Sequence, residues 1–175
     1  MPIYKASSTR SITGSYACAR TSLTGAAGTQ FILTIECPVS TVNVYVKRVT
    51  ISITTNGATA LTNYIYSLGR TTGLPTGGTT LTAQKKTTAF PAAAAIVRTA
   101  PTVTAATGSM INVQGSIYQN NTADVARLVE VFNNVGGSEL DDIVLVNGEG
   151  LLLSATGNDV DIQHIVSIEW QEGIG

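Results

Sequence analysis

From Val42 to Thr54 apolar and polar residues alternate with a period of two. That spacing places apolar side chains on one face of a pleated strand and is incompatible with the 3.6-residue period of a helix. Val42, Val44 and Val46 share one parity, whereas Val49, Ile51 and Ile53 share the other. A strand cannot change its buried face midway unless one extra residue is accommodated. The parity change at Lys47-Arg48 therefore predicts a β-bulge or bend inside one long strand.

The same period recurs along most of the chain. Phe31 to Cys37 reads as a strand ended by Pro38, and Asn56-Gly57 reads as a turn leading to a strand over Asn63 to Leu68. Gly73 to Gly78 is a loop that leads into Thr79 to Lys86. Ile96 to Thr99, Pro101 to Thr104, Ser109 to Tyr118 and Arg127 to Phe132 read as extended segments. So do Ile143 to Val146, Leu151 to Ala155 and Ile162 to Trp170. Only Ala92 to Ala95 is helix-like, with Pro91 placed to occupy a first helical position. About ten short strands, with no long linker and no internal repeat, predict a single antiparallel β-sandwich or barrel.

Composition supports that class. Charged residues make up 12% of the 175, about half the usual share, while 26 threonines and 17 glycines fill the gap. A helical bundle needs Glu, Lys, Arg and Leu on its helix faces, and this chain is poor in them. A hydrophobic content of 43% excludes a wholly disordered chain. Residues 1–14, polar and Ser/Thr-rich, are expected to form an extended N-terminal arm, with residues 15–175 as the single sandwich domain. Met1 to Lys5 shows no apolar core of a secretory signal, and no apolar run approaches a membrane span, so synthesis in a cytoplasm and no membrane partner are expected.

The charges divide sharply along the chain. Residues 1–100 carry nine basic groups against Glu36 alone, and residues 101–175 carry ten acids against Arg127 alone. The bases are scattered, apart from Lys47-Arg48 and Lys85-Lys86, so a nucleic-acid surface is not expected. A sandwich that interleaves early and late strands would bring the two halves together. Contacts between chains would do the same, and sequence leaves both open.

No constellation of reactive residues stands out. In strand register His164 shares a face with Ile162 and Val166, which reads as a core histidine, and no Gly-x-Ser-x-Gly elbow supports a serine hydrolase. Cys18 and Cys37 lie in strand-like runs and read as free, buried thiols. The acidic clusters Asn158-Asp159-Val160-Asp161 and Leu140-Asp141-Asp142 lack an EF-hand spacing and read as turn formers. Gly73 to Thr79 lacks the lysine of a phosphate-binding loop. Tyr64, Tyr66, Tyr118 and Trp170 could stack on sugars, but in strands such residues more commonly pack a core or an interface. No catalytic, cofactor-binding or metal-ligating residue is assigned, and the chain is not expected to be an enzyme.

Three segments carry a resemblance. They are Lys47 to Ile53 with Tyr64 to Arg70, then Pro75 to Lys85, then Val146 to Leu151 followed by Ile165 to Glu172. Over residues 40–172 the chain resembles accessory virion proteins of tailed bacteriophages: capsid decoration (cement) proteins and related jelly-roll head or tail proteins. The resemblance implies an antiparallel sandwich of jelly-roll type. It also implies a homo-oligomer, commonly a trimer, on the outside of the phage head, with the major capsid protein as partner. Its alternative is a tail or fibre jelly roll that binds host surface glycans. Neither reading brings catalytic residues.

Overall fold

The structure, a computed structural model, describes residues 10–24, 27–55, 62–71, 73–102, 107–119, 127–137, 141–157 and 162–174. Among the described residues twelve strands are formed: β1 (Ser11–Thr24), β2 (Gly28–Cys37), β3 (Asn43–Thr55), β4 (Thr62–Thr71), β5 (Thr79–Leu81) and β6 (Gln84–Lys85) in the first half. They continue with β7 (Ile96–Thr99), β8 (Thr107–Gln119), β9 (Arg127–Asn133), β10 (Ile143–Leu145), β11 (Glu149–Gly157) and β12 (Ile162–Ile174). No α-helix occurs among the described residues.

Every pairing is antiparallel, and the pairing is nested. β1 pairs with β12, β2 with β11, β3 with β9, and β4 with β8. The chain thus behaves as one long hairpin whose first strands meet its last. This hairpin is wrapped once more, because β12 also pairs with β3 and β11 also pairs with β4. The result is one sheet in the order β10-β3-β12-β1-β6, with β9 beside β3, and a second in the order β5-β7-β2-β11-β4-β8. Two antiparallel sheets built this way form a jelly-roll sandwich. β5 to β7 lie within the connection from β4 to β8. They tie the sheets together on one side, since β5 and β7 extend the second sheet while β6 pairs with β1 of the first.

The bulge expected in β3 is present. Glu169 faces Arg48 and Trp170 faces Val46, which leaves Lys47 as the extra residue. Val44 and Val46 before it, and Val49, Ile51 and Ile53 after it, are all buried in the core. Lys47 and Arg48 therefore both lie on the face away from the core. That core is completed by Ile35, Leu68, Leu151, Leu153, Ile168 and Trp170, drawn from both sheets.

Two sequence expectations need revision. Ala92 to Ala95 do not form a helix; the segment runs as an irregular strap, because its backbone N–H groups have a better acceptor than their own carbonyls. The amides of Ala94 and Ala95 donate to the Glu172 carboxylate at 2.9–3.0 Å, and the Tyr16 hydroxyl donates to the Pro91 carbonyl at 3.2 Å. The sheet also starts earlier than expected, since Ser11 to Gly14 of the anticipated arm already pair with β12. Residues 1–9 of that arm, the Asn56-Gly57 turn and residues 103–104 lie outside the described residues.

If β3 supplies the core as described, Ile51→Ala should lower the unfolding free energy by about 2–5 kcal/mol in chemical denaturation. Ser52→Ala, on the opposite face, should change it by no more than about 0.5 kcal/mol. Equal effects at the two positions would contradict the facing.

Candidate functional site

The bulge aims two bases outward; Arg48 pairs with Glu130 of β9, and the connection between β9 and β10 supplies the partner of Lys47. Asp142, just ahead of β10, has a carboxylate with no exposed surface. Lys47 Nζ donates to both of its oxygens at 2.7 Å, Arg10 Nη1 to one at 2.6 Å, and Asn134 Nδ2 to the other at 2.7 Å. The Arg10 guanidinium also lies over the Tyr45 ring, 4.1 Å from its centre, a favourable cation–π contact. One buried carboxylate thus joins the chain entering β1, the bulge of β3 and the turn after β9. That turn is tight: Gly136 has a positive φ of 79°, and a Cβ at Gly137 would sit 1.7 Å from Asn134 Oδ1. The Asn134 N–H donates to the Lys47 carbonyl at 2.7 Å and locks the turn onto the bulge.

Beside this cluster, on the outer face of the first sheet, lies a cleft of about 280 Å³. Ser15, Glu169 and Gln171 line it together with Arg10, Lys47, Lys86 and the Val135–Gly137 turn. Lys86 forms an ion pair with Glu169. Its backbone N–H donates to the Ser15 carbonyl at 2.9 Å, which carries the strap to the edge of the cleft.

The two charge halves meet within the chain. Among the described residues, five of the six ion pairs join a base from residues 1–100 to an acid from residues 101–175. Arg48–Glu130, Arg70–Glu149 and Lys86–Glu169 lie toward the surface, and Arg98–Glu36 is the exception that stays within the first half. The nested pairing accounts for this, because it sets early strands against late ones throughout.

The residues weighed for chemistry are placed as follows. His164 is fully buried, and its Nδ1 shares a 3.2 Å hydrogen bond with the Tyr66 hydroxyl across the two sheets. Burial pushes its pKa down to about 4, so the ring is neutral at pH 7. Cys18 and Cys37 are free and buried. Burial drives the Cys18 thiol up to about 12 and also raises that of Cys37, so neither supplies a thiolate nucleophile. Tyr66 and Trp170 are core residues, and Trp170 stacks on Tyr16 with ring centres 5.6 Å apart. The side chains of Tyr64 and Tyr118, and the cluster from Asn158 to Asp161, lie outside the described residues. Asp141 is exposed as a turn residue should be, but Asp142 is not a simple turn former. Among the described residues no three His, Cys, Asp or Glu side chains gather as a metal site would require.

Two buried carboxylates escape sequence reasoning. Glu172 accepts from the Ala94 and Ala95 amides and from Trp170 Nε1 at 3.1 Å, and so fastens the strap to β12. Glu36 is held by Arg98 Nε at 3.0 Å and by the Thr34 hydroxyl at 3.2 Å, yet burial still raises its pKa. The only sequence signal for Glu172 is its parity with Ile168 and Trp170, which places it on the inner face.

Compared with known protein families and with characterised proteins, the sequence matches none.

Two measurements check this account. Asp142→Ala leaves Arg10, Lys47 and Asn134 without their shared acceptor and should cost roughly 3–5 kcal/mol; a cost below about 1 kcal/mol would mean the cluster does not organise the region. His164 binds a proton in the unfolded chain below its ordinary 6.5 but in the folded chain only near 4. Stability should therefore fall as pH drops between those values, by about 1.4 kcal/mol per unit and roughly 3 kcal/mol in total. His164→Gln should flatten the pH 5–6.5 part of that fall, and an unchanged slope would contradict the burial.

Proposed function

We propose that this chain is a structural protein of a phage particle: a capsid decoration, or cement, protein on the outside of the head. In this reading it is made in the host cytoplasm and assembles as a homo-oligomer, with three copies implied by the resemblance. It binds the major capsid protein and ties neighbouring subunits together by burying surface between them, without a chemical step. The observation that carries the reading is the nested jelly-roll sandwich, an architecture used for viral shells. Its ion pairs are largely consumed within the chain, and its conspicuous reactive residues, His164, Cys18 and Cys37, are sealed in the core. Such a protein acts through its faces.

The alternative, a tail or fibre module that binds glycans, is less well supported. Of the four aromatic residues it would use, Tyr66 and Trp170 are buried in the core.

The test is sedimentation of purified protein with empty heads assembled from the major capsid protein alone. Saturable attachment in a fixed ratio to capsid subunits is expected. A protein that stays monomeric and remains in the supernatant at every concentration would overturn the proposal.

A further inference from the structure

The buried cluster at the bulge of β3 holds the three parts of a covalent reaction. Lys47 brings a primary amine, Asn134 a carboxamide, and Asp142 a carboxylate that touches both. Lys47 Nζ and Asn134 Nδ2 each donate to the same atom, Asp142 Oδ1, at 2.7 Å. The amine and the amide therefore flank a single oxygen. Arg10 Nη1 engages the other oxygen, Oδ2, at 2.6 Å, so Oδ1 is the one placed to carry a proton between the two nitrogens.

The backbone fixes this meeting before any side chain moves. The Asn134 N–H donates to the Lys47 carbonyl at 2.7 Å, which seats the turn after β9 against the bulge. Next to them, Asn133 and Arg48 are strand partners. Gly137 leaves room for the carboxamide, since a Cβ there would lie 1.7 Å from Asn134 Oδ1. With Oδ1 against the turn, Nδ2 faces Asp142. The nitrogen that has to leave thus already points at the acid. Water is largely kept out: the Asp142 side chain has no exposed surface, that of Lys47 is 14% exposed, and Asn134 is buried. Only a neutral amine is a nucleophile, and burial reduces the advantage of an ion pair over a neutral amine and acid.

We propose that Lys47 and Asn134 become joined by a side-chain isopeptide bond, made by the folded chain itself with Asp142 as the proton carrier. Lys47 Nζ first passes a proton to Asp142 Oδ1. The neutral amine, swung to about 3–3.5 Å from Asn134 Cγ, attacks that carbon. The Nζ–Cγ bond forms and the Cγ–Nδ2 bond breaks. Two protons in all move from Nζ through Oδ1 to Nδ2, which departs as ammonium, and Nζ keeps the third as the new amide N–H. Asp142 ends as the carboxylate it began as, the total charge is unchanged, and no oxidant or co-reactant is consumed. The bond ties the bulge of β3 covalently to the turn between β9 and β10. It is independent of the cement reading.

Intact-mass spectrometry of the purified full chain, incubated folded and then denatured, tests this. The expected mass is one ammonia below that of the sequence, counted from the residue found at the N-terminus. Tryptic digestion should release a branched fragment in which the peptide containing Lys47 is linked to the one containing Asn134. The full sequence mass, or loss of ammonia without a branched fragment, would overturn the proposal. Two variants assign the roles. Lys47→Arg keeps a donor to Asp142 but has no amine to attack, and should retain its full mass; a branched fragment joining position 47 to Asn134 in it would contradict the assignment. Asp142→Asn, checked for wild-type circular dichroism, keeps the shape of the carrier without its carboxylate and should also stay unlinked. Linkage in that variant as complete as in the wild type would overturn the role given to Asp142. The wild-type mass decides the proposal even where a variant fails to fold.

Discussion

The pairing of the last strand with both the first and the third is the constraint on which the rest depends. β12 lies between β1 and β3 over nearly their whole lengths, so the first sheet has no centre until the C-terminal residues arrive. Its inner face carries His164, Val166, Ile168, Trp170 and Glu172, all buried. These residues fill the space between the sheets and anchor the strap that closes one side. Contacts so distant in sequence are entropically costly to form, so the chain should fold slowly.

From that constraint the electrostatics follow. First-with-last pairing places the basic half of the chain against the acidic half, and five of the six ion pairs among the described residues join the two. The burial of Asp142, Glu172 and Glu36 divides this charge by role. Asp142 draws cations from two separate elements, Glu172 uses only N–H donors, and Glu36 uses one arginine and a threonine. Removing a partner from such a group leaves a buried charge or donor uncompensated, which costs more than any surface pair returns.

Much of this was legible in the sequence. Period-two spacing located most strands, and the parity change at Lys47-Arg48 marked the bulge because a buried face cannot switch without an inserted residue. The charge asymmetry foretold pairing between the halves once interleaved strands were assumed. The helix-like reading of Ala92 to Ala95 did not hold. Local propensity cannot register an acceptor such as Glu172, which lies 77 residues from Ala95 in the chain. The Asp142 cluster was hidden for the same reason. Arg10, Lys47, Asn134 and Asp142 are each unremarkable locally, and only the fold brings them to one point.

The claim that this sandwich works by covering a shell is tested most directly by electron cryomicroscopy of the assembled particle. The account predicts density of this jelly roll on the outer surface of the head, in contact with the capsid subunits. Density confined to the tail, or none on the particle, would contradict it.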